Sequence, residues 1–221
     1  MDSSNGTRPR KFRHLFLDAE GTLYIPKGKR SRWEFWADPT PEAAVDFFEL
    51  DEGVADTLRA LRAHVDTLWI ASSHTEPILR AILKKHNIES CFDDILLNGN
   101  KGKVIEDYLR KRGLSKSESV MVGDMPTLDL YPVRRVGIDA ILVDRYYNRF
   151  ARAERIRGVR DLPAWLKIAD IVENMRAKAA RNATLDEYVS PSALGDVGVN
   201  MNANATNQKV DVHRRSLRAC A

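Results

Sequence analysis

Cysteine is nearly missing from this chain. Cys91 and Cys220 are the two present in 221 residues, and they lie far apart. A set so sparse cannot frame a disulfide-stapled fold, and a reducing, cytoplasmic setting is the expectation. Long apolar runs are missing too. No stretch approaches the roughly 18 residues of a membrane-spanning helix, so no membrane partner is expected. The opening MDSSNGTRPRKFRH is basic but no apolar h-region follows it, so no secretory signal is read there. The Asn-x-Thr sequons at Asn5, Asn182 and Asn204 are then chance occurrences. Internal repeats are absent. A large charge excess is absent as well: 35 basic against 31 acidic residues leave a net +4. That suits an anionic substrate, but nucleic acid is not indicated.

What is present is the balance of a soluble globular protein, with 43% hydrophobic and 30% charged residues. The length allows one domain with a real core and some surplus. Four short apolar runs each end in a polar residue. His14–Leu17 runs into Asp18, Leu68–Ala71 into Ser72, Val120–Gly123 into Asp124, and Ala140–Val143 into Asp144. Such runs suit strands buried on both faces, as in a parallel sheet. Helical spacing appears between them, over Gly53 to His64, Thr75 to His86 and Lys101 to Arg112. Thr75 reads as an N-cap, Pro77 falls in a first turn, and Gly113 reads as a stop. Strands alternating with helices predict an α/β, Rossmann-like, doubly wound parallel sheet with right-handed crossovers. In such sheets ligands sit outside the carboxyl ends of the strands, where Asp18, Ser72 and Asp124 fall.

The organisation reads as a flexible segment over 1–11, a main domain over 12–160 with a flap insert at about 24–52, and an additional helix over 161–181. That helix would carry Trp165, Ile168, Ala169 and Val172 on one stripe. Residues 182–221 are Asn-rich without periodicity and are expected to be a disordered tail.

The chemistry starts at Asp18-Ala19-Glu20-Gly21-Thr22-Leu23. A carboxylate at the end of a buried strand can attack phosphorus and form an acyl-phosphate. A second carboxylate two residues on can protonate the leaving oxygen and later activate water. Gly21 lets the chain turn sharply. Asp, Gly and Thr are also common at ordinary strand-to-turn junctions, so this segment alone does not decide the matter.

FLDAEGTLY resembles motif I of the haloacid-dehalogenase superfamily, an apolar strand followed by D-x-D-G-T-L. Three further motifs can be matched in order. Ser72 in LWIASSH resembles motif II, whose hydroxyl donates to a phosphate oxygen; Ser73 stands beside it. Lys101 in GNKGKVIEDYL resembles motif III, with Lys103 as a competitor. Asp124 and Asp129 in MVGDMPTLDL resemble motif IV. The resemblance spans about residues 12 to 145 and implies that fold. It also implies a Mg²⁺-dependent phosphomonoester hydrolase. Asp18 and Glu20 would be catalytic, Ser72, Ser73 and Lys101 would bind phosphate, and Asp18, the Glu20 carbonyl, Asp124 and Asp129 would hold the metal. Glu20 departs from the family's usual Asp, so the acid/base group moves by roughly 1 Å, a shift that can cost about 10²-fold in rate. Two other readings remain: a dehalogenase using Asp18 on carbon, and a degenerate member that binds a phosphorylated ligand or a partner without catalysis.

The spacing leaves no room for a cap domain between Ser72 and Lys101. About 30 residues separate Thr22 from Gly53, too few for a helical cap. This flap carries Tyr24, Trp33, Phe35, Trp36, Phe47 and Phe48, beside Lys27, Lys29, Arg30 and Arg32. It reads as a lid on an anionic substrate, with most of the aromatics packing it down. The layout resembles capless members of the magnesium-dependent phosphatase-1 type. That resemblance implies either a phosphorylated small molecule or a phosphorylated macromolecule as partner, or a lid supplied by a neighbouring subunit of a homo-oligomer.

Overall fold

The computed structural model describes residues 12–28 and 30–168. The expected segment 1–11, the tail 182–221 and most of the helix over 161–181 lie outside the described residues. In chain order the elements are β1 (His14–Leu17), β2 (Tyr24–Pro26), α1 (Arg32–Trp36), α2 (Pro41–Phe47), β3 (Phe48–Leu50), α3 (Val54–Arg62), β4 (Thr67–Ser72) and α4 (Glu76–Lys85). Then follow β5 (Asp94–Leu97), α5 (Lys101–Arg112), β6 (Ser119–Gly123), α6 (Tyr131–Arg135), β7 (Asp139–Val143), β8 (Arg155–Ile156) and α7 (Leu162–Trp165). No helix among the described residues is long and apolar enough to cross a membrane.

Six strands form one sheet in the order β5-β4-β1-β6-β7-β8. Every pairing in it is parallel, as the strand–helix alternation predicts. Side chains alternate across β1 with the period of two that a strand dictates. Leu15 and Leu17 face a core shared with Leu58 and Leu61 of α3 and Leu79 and Leu83 of α4. Phe16 faces the opposite core, with Trp69, Met121, and Ile105 and Leu109 of α5. Both faces of β1 are therefore covered, which is why its four residues are all buried.

The predicted helices form nearly where their periodicity places them. Thr75 occupies the N-cap position of α4, but its hydroxyl makes no capping hydrogen bond. Helix α5 is capped instead by Asn100, whose side chain accepts from the Lys103 N–H at 3.2 Å. It ends at Gly113, which adopts φ 65°.

The flap insert is a small structure of its own. Strands β2 and β3 pair antiparallel, Tyr24 opposite Leu50 and Pro26 opposite Phe48. Helix α1 opens with a Ser31–Glu34 capping box, and α2 opens on Thr40 with Pro41 next. Phe35, Phe47 and Phe48 are buried against one another, with ring centroids 5.0 to 5.6 Å apart. Most of the flap aromatics thus pack inward, but Trp33 is 75% exposed.

One expectation needs correction. The helix expected to run from Asp161 stops at Trp165. Lys167 takes a left-handed φ of 60°, its N–H bonds to Ala164 O, and the Ile168 N–H reaches back to Pro163 O. That pair of bonds is a Schellman stop, so Trp165 and Ile168 are not two points on one continuous helix. The sequence signal was weak because Lys, not Gly, holds the left-handed position.

Candidate active site

The register of the sheet assembles the site. Leu17 of β1 lies opposite Ile70 of β4 and Val122 of β6. Asp18, Ser72 and Asp124 therefore leave three adjacent strands at the same edge. Asp18 is tied there by its N–H to Val122 O at 2.8 Å. Gly21 then turns the chain with φ +79°, and a Cβ at that position would strike the Asp124 carboxylate. Both facts require glycine.

Asp129 arrives from a widened helical turn over Pro126–Leu130. Its Oδ2 accepts the Met125 N–H at 2.7 Å, and its own N–H bonds to Met125 O at 2.7 Å. Its carboxylate lies against Gly123, where any side chain would displace it. Lys101 opens α5 and is buried. Its Nζ lies 2.5 Å from Asp18 Oδ1 and 2.5 Å from Asp129 Oδ1. Lys103 is exposed on the same helix, and its backbone N–H serves the cap. Geometry thus brings Lys101, not Lys103, to the carboxylates.

Three buried carboxylates converge, and the Lys101 ammonium pairs with two of them, Asp18 and Asp129. Oxygen atoms of Asp18, Asp124 and Asp129 lie within 4.8 Å of one another. Burial, then the neighbouring charge of Asp18, pushes the Asp124 and Asp129 carboxyls above the ordinary range. Burial alone would depress the Lys101 ammonium, but Asp18 and Asp129 outweigh it and hold its pKa above the usual lysine value. Asp124 Oδ1 is buried without a hydrogen-bond partner. An orphaned oxygen among converging carboxylates fits a small divalent cation, and the all-oxygen donor set suits Mg²⁺.

Glu20 is buried, with a hydrogen bond at one oxygen and an ion pair at the other, Oε1, which has no hydrogen-bond partner among the described residues. Oε2 lies 2.9 Å from His74 Nε2, and Oε1 lies 3.2 Å from Arg32 Nε. His74 Nδ1 in turn meets the Tyr24 hydroxyl at 2.9 Å, and its ring packs edge-on against Trp36 at 4.8 Å. Arg32 also reaches Asp124 Oδ2 at 3.6 Å and donates to the Tyr147 hydroxyl at 3.2 Å. Burial works against its charge, but Glu20, Tyr147 and Asp124 together raise its pKa. The Tyr147 hydroxyl donates to Asp124 Oδ2. Asn148 Nδ2 donates to Asp124 O at 2.7 Å and to Val143 O at 2.8 Å, fixing the backbone behind the carboxylate.

The two serines divide. Ser72 is buried, and its Oγ accepts the His74 N–H at 3.1 Å. Ser73 is exposed and lines a cavity of about 270 Å³ together with Asp18, Glu20, His74 and Lys101. A second cavity, of about 890 Å³, shares Arg32, Trp33 and Met125 with the first.

Sequence reasoning missed His74, Arg32, Tyr147 and Asn148. His74 was findable as an imidazole two residues past a strand-end serine. Tyr147 and Asn148 follow β7, and the rule that ligands gather at strand ends points to them. Arg32 is one of several basic flap residues, and no local feature separates it from the rest.

Residues 18–143, more than half of the chain, match the family model for haloacid dehalogenase-like hydrolases. No curated protein sequence matches. Among solved structures, a HAD phosphatase from Thermococcus onnurineus is 18% identical, with a TM-score of 0.58 over 70% of this chain and 98% of that one. CbbY from Rhodobacter sphaeroides, solved in complex with phosphate, is 18% identical with a TM-score of 0.53 over 71% and 99%. A 2-haloacid dehalogenase from Pseudomonas syringae pv. Tomato DC3000 is 14% identical with a TM-score of 0.52 over 71% and 98%. Identities this low speak for the shared fold, whereas the family match covers the segment from Asp18 through β7. The chain belongs to the haloacid dehalogenase-like hydrolases.

Proposed function

We propose that the protein is a Mg²⁺-dependent phosphomonoester hydrolase that works through an aspartyl-phosphate on Asp18. The observation that carries this reading is the Lys101 ammonium, set 2.5 Å from both Asp18 and Asp129 inside a buried carboxylate cluster. A fixed cation beside the nucleophile is suited to the charge on phosphoryl oxygens.

In this reading an Asp18 oxygen forms a bond to phosphorus while the bond to the ester oxygen breaks. Glu20 gives that oxygen its proton. Glu20 then takes a proton from water as the water attacks phosphorus and frees Asp18. Lys101 and the serines of the β4 end hold the phosphoryl oxygens, with Ser73 at the cavity wall. Asp18, the Glu20 carbonyl, Asp124 and Asp129 would hold Mg²⁺, which when bound offsets the charge of the phosphoryl group and the carboxylates. Positioning and electrostatics carry most of such a reaction.

Glu20 separates this reading from displacement at carbon, which needs no acid for a leaving oxygen. The His74 hydrogen bond and the Arg32 ion pair place its carboxylate at the cavity, which supports an acid/base role despite the extra methylene. The short ribbon and two small helices of the flap support the capless arrangement of the magnesium-dependent phosphatase-1 type. The buried thiol of Cys91 suits a reducing cytoplasm.

The test is phosphate release from a panel of phosphomonoesters with and without Mg²⁺, beside Asp18→Asn. Release that needs Mg²⁺ and vanishes in Asp18→Asn is expected. Equal release from both proteins would overturn the mechanism, and turnover of a haloacid in EDTA would favour chemistry at carbon.

A further inference from the structure

The 270 Å³ cavity holds the reacting groups Asp18, Glu20 and Lys101. The adjoining cavity of about 890 Å³ shares Arg32, Trp33 and Met125 with it, is within the range usual for small-molecule sites, and has room for a large leaving group. Its walls come from three separate segments: the flap, the turn after β6 and the loop after β7.

Two properties of those walls are informative. Among the described residues no Asp or Glu lines this cavity, whereas Arg30, Arg32 and Arg145 do. Arg32 is committed to Glu20 and Asp124, and Arg145 to Asp51 and the Gly21 carbonyl. Arg30 has an exposed pairing with Glu34 at 3.5 Å, of a kind that is weak, and its guanidinium lies over the Phe47 ring at 4.0 Å. Of the three arginines, Arg30 is the one whose carboxylate partner is exposed, so it gives up least on meeting a ligand's anion. The second property is aromatic. Five large hydrophobic side chains are exposed among the described residues: Trp33, Tyr131, Tyr146, Tyr147 and Phe150. Three of them, Trp33, Tyr146 and Tyr147, line this one cavity. Tyr146 is 84% exposed, contributes nothing to either core, and stands edge-on to Tyr147 at 5.0 Å. Apolar rings gathered on one open wall mark a binding surface.

We propose that this cavity is the leaving-group site, and that it takes a small molecule with a planar ring and a second anionic group, such as a nucleoside bisphosphate. The ring packs against the aromatic wall of Trp33 and Tyr146. The second anion meets Arg30. The turnover part of this assignment rests on the phosphomonoesterase reading, but the binding part does not.

Three compounds each carry a phosphate on a primary alcohol: glycerol 3-phosphate, adenosine 5′-monophosphate and adenosine 3′,5′-bisphosphate; the last also has a phosphate on a secondary alcohol, so its product is identified and only release of the 5′-phosphate, leaving adenosine 3′-monophosphate, is counted. The expected order of kcat/KM with Mg²⁺ rises from the first to the last. Tyr146→Ala should raise KM for both nucleotides about tenfold, the usual worth of one stacked base, and leave glycerol 3-phosphate unchanged. Arg30→Gln should abolish only the advantage of the bisphosphate. Calorimetry on Asp18→Asn with adenosine 3′,5′-bisphosphate gives a readout free of turnover, and adding Tyr146→Ala should weaken that binding by the same factor. If wild type turns over nothing while Asp18→Asn binds the bisphosphate through Tyr146, the cavity assignment stands and the hydrolase reading falls. If all three esters are cleaved alike, or both nucleotides bind Tyr146→Ala as tightly as the parent, the cavity assignment is overturned and the hydrolase reading survives.

Discussion

His74 Nε2 stands 2.9 Å from Glu20 Oε2, with the Tyr24 hydroxyl 2.9 Å behind the other ring nitrogen. Glu has one more rotatable bond than Asp, so its carboxylate is harder to hold still. His74 removes that freedom from one side and Arg32 from the other. His74→Ala should lower kcat for alkyl phosphates by up to about 10²-fold, the loss that a displacement of roughly 1 Å can cause. An ester such as p-nitrophenyl phosphate, whose leaving group needs little help from an acid, should lose much less. His74→Gln, which keeps an N–H donor, should recover part of the activity. Equal losses on both esters would show that His74 does something other than orient Glu20.

Lys101 is the sole cation within hydrogen-bond distance of Asp18 among the described residues, and it is almost fully buried. Lys101→Met leaves buried carboxylates without their partner. Breaking a buried pair from one side costs about 3–5 kcal/mol. Urea denaturation at neutral pH should show a loss of that size, together with loss of phosphatase activity.

Mg²⁺ should stabilise the fold as well as serve the reaction. At a hundredfold excess over Kd, a ligand that binds only the native state adds about 2.7 kcal/mol. Thermal denaturation with and without Mg²⁺ should display that gain, and Asp124→Asn should shrink it. A melting curve indifferent to Mg²⁺ would contradict the fit of the carboxylate cluster to a metal.

Gly21→Ala tests the turn that carries Glu20. A left-handed φ costs a side-chain-bearing residue about 1–2 kcal/mol, and here the new methyl group also meets the Asp124 carboxylate. Stability should fall by at least that amount and activity by far more, because the displaced group belongs to the site. Circular dichroism melting beside a rate measurement separates the two effects.

His14 gives a pH dependence away from the site. Burial lowers its pKa below the ordinary 6.5, and it bonds to Thr67 Oγ1 at 2.8 Å. The unfolded chain therefore takes up the proton at a higher pH than the native one. The His14 contribution is fully present above about pH 6.5 and is lost as pH falls through the lower, folded pKa. His14→Gln should lose less stability than wild type between about pH 7 and pH 5 in chemical denaturation.

Much of the frame is legible in the sequence because it depends on local patterns. The apolar runs at His14–Leu17 and Val120–Gly123 can only be buried on both faces, and the helical spacing of Lys101–Arg112 falls on α5 residue for residue. The acidic residues after those strands follow from the rule for strand ends. The ribbon is different. Tyr24–Pro26 and Phe48–Leu50 are three-residue strands whose pairing spans two intervening helices, and neither has enough length for alternation to show. Strand β8, of two residues, has the same problem. The side-chain partners Arg32, His74 and Tyr147 come from three segments remote in sequence. Only closure of the fold brings them to Glu20 and Asp124.

The ribbon of β2 and β3 also has a consequence for how this protein could be altered. Because the two strands pin the ends of the flap together, any chain spliced between Pro26 and Phe48 starts from a closed base. Doubling the length of a flexible loop costs only about 0.6 kcal/mol in closure entropy. The flap is therefore a socket for larger lids. Grafting there, with Arg32 kept for its pairing with Glu20 and Asp124, would exchange what the protein recognises while the strand ends that carry Asp18, Ser72 and Asp124 stay in place.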